Sequence, residues 1–218
     1  MSIIKLSARL WLLVAALLFA LPAAASDNPA MDAQVSRIST DWARIKYQVS
    51  DKSAQYNQIH ALAGQAAAVV ARYPGRAEPL LWQGIVVSEE AGLAGTFQQL
   101  GLAKTARSLL ERAEKIDPRA GNGGVLMSLG VLYSRVPGFP LGFGSSKKAA
   151  AYFQRALALD ASGLEVNYFY GVFLAEQGDA PGAKAHLERA LRAPAEPSRP
   201  VWDAGRRRDA RGELNKLH

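Results

Sequence analysis

Histidine, paired carboxylates and activated hydroxyls are the side chains that carry most enzyme chemistry, and this sequence offers few of them in workable patterns. There are three histidines, His60, His186 and His218, and none is spaced with another as a helical metal pair; no His-Glu-x-x-His occurs. His60 sits in an alanine-rich stretch and His186 beside an apolar stripe, so both read as ordinary helix residues. Glu89 and Glu90 are adjacent. Neighbours on a helix point about 100° apart, so the two carboxylates do not converge on one atom. Glu165 and Glu176 are about three turns apart and share a face without sharing a metal. The chain has no cysteine and no Gly-x-Ser-x-Gly elbow. The glycine-rich segment before Lys147-Lys148 lacks the order of a phosphate loop and follows a helical pattern rather than a strand. No acid, base and nucleophile come within mutual reach, so the sequence predicts no catalytic residues, no metal and no cofactor. What it offers instead is surface for binding.

The residues that frame such a surface begin after a leader. Lys5 and Arg9 precede an uncharged apolar run, Leu10 to Leu21, followed by Pro22 and Ala23-Ala24-Ala25. This is the layout of a secretory signal over 1–25 with cleavage after Ala25. The run is about twelve residues, short of the ~20 that span a bilayer as a helix. A retained anchor is the alternative. The expected location is the periplasm or secretion, with 26–218 forming one domain and no contact with nucleic acid. Formal charge is +7 over 218 residues, and +5 once the two basic leader residues are removed. Much of the excess lies at Arg199, Arg206, Arg207, Arg208 and Arg211. That group reads as a solvated terminal helix, with an anionic lipid or polymer surface as the alternative use.

Ala and Leu dominate the apolar residues, a balance that favours helix over strand. A small-large-small triplet recurs at helical spacing: Ala106-Leu110-Ala113, Ala149-Phe153-Ala156 and Ala183-Leu187-Ala190. The last two are 34 residues apart. Each triplet follows a segment with a glycine, Gly84, Gly130 and Gly171. Breaks fall at Pro74-Gly75, Asp117-Pro118, Asp160-Ala161, Gly178-Asp179 and Pro194. An earlier pair, Gln34 to Val49 and Gln55 to Tyr73, carries Leu62, Ala66 and Val69 where the triplet would fall. After the turn Pro197 to Pro200, Trp202 to Leu217 reads as a closing helix.

This layout resembles the tetratricopeptide repeat (TPR), a helix pair in which small side chains let antiparallel helices approach. The resemblance implies an all-α, right-handed α-solenoid with hairpins over about 32–74, 77–118, 123–161 and 164–195 and a C-terminal capping helix over about 201–217. Glycine-to-triplet spacing exceeds the expected twelve in the second and third pairs, which places extra residues at Ala91 to Gly101 and Val136 to Ser146. First helices line the concave side in this class. Counting equivalent positions gives Leu81, Ile85 and Glu89, then Met127, Val131 and Arg135, then Tyr168, Val172 and Glu176 as the binding face, with Glu78, Ser88, Ser134 and Glu165 beside them. Such a face suits a peptide, a partner helix or an amphiphilic small molecule. Phe139 and Phe143, in the Pro- and Gly-rich insert, are costly to leave in water and are expected to dock, as a wall of the site or as a structural plug.

A second resemblance is finer. The run Leu100 to Pro118 (LGLAKTARSLLERAEKIDP), with Gly123-Gly124, Leu129-Gly130, Tyr133 and Val136-Pro137-Gly138, is similar to the T component of tripartite ATP-independent periplasmic (TRAP) transporters. That likeness implies a periplasmic accessory protein that partners a solute-binding subunit, a hydrophobic ligand, or both. The TPR likeness alone implies a protein-binding scaffold for partners in the cell envelope.

Overall fold

The computed structural model describes residues 27–217 and shows nine α-helices and no strand among them. The expected leader and its cleavage point lie outside the described residues. The helices are α1 (Pro29–Gln48), α2 (Lys52–Arg72), α3 (Ala77–Leu93), α4 (Thr96–Ile116), α5 (Gly124–Arg135), α6 (Ser146–Leu159), α7 (Leu164–Glu176), α8 (Ala180–Arg192) and α9 (Pro200–Asn215). They pair as four successive hairpins, α1–α2, α3–α4, α5–α6 and α7–α8, with α9 closing the chain.

Local chemistry sets the boundaries. Asn28, Asp51, Ser145 and Asp179 each accept a backbone N–H three residues on, satisfying an orphan donor at the start of α1, α2, α6 and α8. α7 ends in a Schellman turn: the Asp179 N–H donates to the Leu174 carbonyl at 2.9 Å and Gly178 takes φ +83°, a conformation a side chain resists.

The repeated triplets explain the hairpins. Ala106, Leu110, Ala113, Ala149, Phe153, Ala156, Ala183, Leu187 and Ala190 are all essentially buried. In each pair the large member fills the space over the glycine of the preceding helix. A Cβ on Gly84 would lie 2.7 Å from Leu110 Cγ, on Gly130 3.0 Å from Phe153 Cδ1, and on Gly171 2.9 Å from Leu187 Cγ. Leu62, Ala66 and Val69 of α2 are buried as well.

The two stretches of extra residues resolve differently. The first lengthens α3 and α4, which run almost into each other through Ala94-Gly95. The second is a true loop, 136–145, between α5 and α6. Its Gly144 N–H donates to the Pro137 carbonyl and its Ser145 N–H to the Tyr133 carbonyl. A Cβ at Gly144 would lie 1.8 Å from the Val136 carbonyl oxygen, so only glycine fits there.

The core has two parts. One joins α3 to α7 through residues such as Leu80, Leu110, Leu129 and Phe153. The other brings Ile38, Trp42 and Ile45 of α1 together with Tyr168, Val172, Leu187, Trp202 and Ala210 from the far end of the chain. α9 covers the last hairpin, as a terminal cap must. It also packs on α1, so the stack of hairpins closes on itself. Gly205 permits this: a Cβ there would lie 2.5 Å from the Tyr47 ring.

Candidate functional site: an inner chamber with an ionic seam

Closing α9 on α1 turns the concave side into a chamber of about 670 Å³. Its walls come from α1, α3, α5, α7 and α9, with the start of α4 and the 136–145 loop at one end. Trp42, Ile85, Leu100, Met127, Val131 and Phe169 supply apolar wall, and Lys46, Glu89, Glu165, Arg206 and Asp209 supply charge.

The charges are arranged in two groups. Lys46 Nζ bonds both oxygens of Glu89, at 2.7 and 2.8 Å, tying α1 to α3. Arg206 is the centre of the second group. It is 2 % exposed, donates to Glu165 at 2.8 Å and Asp209 at 3.3 Å, and lies 4.7 Å over the Tyr168 ring and 4.6 Å over that of Phe169. The Tyr47 hydroxyl donates to Asp209 at 2.9 Å, and the Trp202 indole N–H donates to Glu165 at 3.3 Å. α1, α7 and α9 thus meet at one buried ionic seam. Burial pushes the guanidinium pKa down, but Glu165, Tyr47, Tyr168 and Asp209 more than reverse it, so Arg206 stays charged. Burial raises the Tyr47 pKa; Arg206 opposes this and Asp209 adds to it, which keeps the phenol neutral and donating.

Of the residues expected on the concave face, Ile85, Glu89, Met127, Val131, Arg135 and Tyr168 line the chamber, as do Ser88 and Glu165. Leu81 does not: it is buried against Gly121 and Gly124, where the chain enters α5. Val172 is buried in the second core part, because α7 turns this face toward α8 and α9. Glu176 ends α7 in solvent, beyond the wall. Phe143 docks, with its ring 5.7 Å from that of Tyr133 and the Arg107 guanidinium 4.2 Å above it. Phe139 does not dock and stands 93 % exposed.

The arginine cluster is only partly free: Arg208 and Arg211 of α9 are exposed to solvent. Arg206 is buried in the seam, Arg207 bonds Asp203 and the carbonyls of Leu191, Ala193 and Pro194, and Arg208 lies over Tyr47. Arg199, which precedes the helix, lies over Trp82 and Trp202. Sequence reasoning missed Trp42, Lys46, Lys52, Arg206 and Asp209 as wall residues because they arrive only when the ends of the chain meet. One signal was present: Trp202, Gly205-Arg206 and Asp209-Ala210 recur at helical spacing, so Arg206 sits on the stripe that faces the protein.

Among the described residues no three His, Cys, Asp or Glu side chains gather as a metal site, and no helix is long and apolar enough to cross a membrane. No family model matches the chain, and no curated protein matches it significantly. Among solved structures it is similar to a thermophilic TPR protein from Thermus thermophilus, at 19% identity and a TM-score of 0.57, over 86% of this chain and 90% of that one. The fold is that of a TPR-like α-solenoid.

Proposed function

We propose that this is an exported binding protein of the helical-repeat class, which engages partners in the cell envelope without turning over a substrate, and that the chamber holds the bound group. The observation that carries this reading is the closure of α9 on α1. An open TPR groove accommodates a helix laid along it. Here the two ends of the stack meet, and the space they enclose is about 670 Å³. The chamber instead matches the ~300–1,000 Å³ of small-molecule sites, which pair apolar walls with a few placed polar groups. The same feature favours the finer form of the proposal: a role like that of a TRAP transporter T component, with a hydrophobic ligand inside and a solute-binding subunit outside.

Native mass spectrometry of the protein taken from its own envelope fraction, followed by organic extraction, tests the chamber. A retained mass is expected, and Val131→Trp, which fills the wall without touching the seam, should abolish it while helicity is unchanged. A Val131→Trp protein that retains the same mass would remove the chamber from the proposal. Cross-links to a solute-binding subunit would support the transport form; cross-links confined to envelope-assembly machinery would favour the scaffold form.

A further inference from the structure

Three of the four large apolar side chains exposed among the described residues are Phe97 (103 %), Phe139 (93 %) and Leu141 (74 %). They belong to two different connections on one edge of the fold. Each helix reverses the direction of the one before it, so the turns leaving α1, α3, α5 and α7 all fall on the same edge, and those leaving α2, α4 and α6 on the opposite one. Phe97 is in the first turn of α4, directly after the α3–α4 turn. Phe139 and Leu141 are at the tip of the 136–145 loop. Thr96 and Leu141 both line the chamber, which places the two tips at its mouth.

The loop does not leave its aromatic ring in water for lack of a dock. Phe143, four residues on, is clamped between Tyr133 and Arg107, and the backbone bonds of Gly142 and Gly144 brace the tip. The same loop therefore tucks one phenylalanine in and holds the other out.

The charge around these tips has one sign. No Asp or Glu occurs in 91–110 or in 135–149, which between them carry Lys104, Arg107, Arg135, Lys147 and Lys148. Lys104 lies two turns beyond Phe97 on the same face of α4. Lys104, Arg135 and Lys147 are exposed, and among the described residues none has a carboxylate within ion-pair distance. The acids of this edge, Asp51, Glu176, Asp179 and Glu213, sit on the first and last hairpins and at the end of α9; the two aspartates are occupied as helix caps and Glu213 pairs with Lys216.

We propose that this edge docks on an anionic phospholipid surface, with Phe97, Phe139 and Leu141 entering the interface and the surrounding lysines and arginine meeting headgroup phosphates. The chamber mouth then faces the membrane. Three protruding side chains cover well under the ~800 Å² per partner of a standard protein interface. A fluid lipid surface needs neither area nor complementary shape. This inference does not depend on what the chamber holds.

The chain has no cysteine, so one introduced thiol reports on one place. The full chain carrying Gln98→Cys, labelled with an environment-sensitive fluorophore beside Phe97, is titrated with vesicles of phosphatidylcholine containing a quarter phosphatidylglycerol, and with pure phosphatidylcholine. Expected are a blue shift with the anionic vesicles only, its reversal in ~1 M salt where the Debye length is about 3 Å, and no shift from the same label at Arg119→Cys on the opposite edge. Adding Phe139→Ser with Leu141→Ser, or Lys104→Glu with Lys147→Glu, should each raise the half-saturating lipid concentration ~tenfold or more. Because the label reads this edge alone, lipid binding through any other segment leaves it silent. A silent label at position 98, an equal response to neutral vesicles, an equal response at 119, or a shift with polyglutamate but not with vesicles would each overturn the proposal.

Discussion

Replacing Arg206 by methionine tests whether the ring is held shut by the seam. The substitution keeps much of the apolar stem but leaves Glu165 and Asp209 without their cation, and it removes the charge from the faces of Tyr168 and Phe169. Breaking a buried pair by deleting one partner costs about 3–5 kcal/mol. The two carboxylates retain 25 % and 31 % of their exposure toward the chamber, so water recovers part of that. The lost cation–π contact adds about 1 kcal/mol. A net loss of about 3 kcal/mol follows, which at a urea slope of ~2–3 kcal/mol/M lowers the midpoint by ~1 M or more. Tryptophan emission is the assay, because Trp42, Trp82 and Trp202 all gather at this closure: Trp42 and Trp82 are 6.0 Å apart and Arg199 bridges Trp82 to Trp202. In a repeat array, neighbour contacts carry cooperativity, so the variant should show an early transition as α9 leaves α1. Glu165→Gln combined with Arg206→Met removes one stranded charge and should recover part of the loss. A single variant within ~0.5 kcal/mol of the parent, the range of an ordinary surface change, would refute the reasoning.

Three further outcomes follow from the same contacts. Gly84→Ala sets a Cβ 2.7 Å from the buried Leu110 Cγ and should cost ~1–2 kcal/mol, overpacking outweighing the gain in helix propensity; Gly64→Ala, with no atom within 4 Å of the new Cβ, should stabilise by ~0.5–1 kcal/mol, and paired urea curves check both signs. Burial, then Arg189, depresses the His186 pKa below 6.5; the unfolded chain therefore takes up the proton first, stability falls as pH drops below 6.5 until the folded value is passed, and His186→Gln should flatten that part of the stability–pH curve. Gly144→Ala drives a Cβ into the Val136 carbonyl and should release the loop, at ~2 kcal/mol, with Phe143 and Tyr133 losing their contact in side-chain NMR spectra.

How much of this was legible depends on range. The glycine and its small-large-small partner, Gly171 with Ala183-Leu187-Ala190 for example, lie within one hairpin, and their spacing is dictated by about 3.6 residues per turn. That pattern reads directly. The chamber face was legible for α3 and α5, where counting equivalent positions finds Ile85, Glu89, Met127, Val131 and Arg135. It failed at Val172, since the position that faces the chamber depends on how α8 and α9 rotate α7, and no local period records that. It failed at Leu81 because the glycine-rich entry into α5 covers that residue. The meeting of α1 with α9 was not legible at all: it sums small rotations over four hairpins, each too slight to leave a mark on residue type.

The arginines show why net charge misleads when it is assigned by sequence cluster. Five of them near the C-terminus look like a surface feature, yet the structure occupies three internally, Arg199 over two indole rings, Arg206 in the seam and Arg207 on the carbonyls that end α8, and leaves Arg208 and Arg211 exposed. Among the cations that make no ion pair within the described residues, Lys104, Arg135 and Lys147 stand apart in the sequence, where no window would gather them. What unites them is the alternation of helix direction, which delivers every second turn to one edge, together with the want of any acid across 135–149. A run of arginines on a helix that must also bury Trp202 and Ala210 is thus better read as the way that helix is fastened.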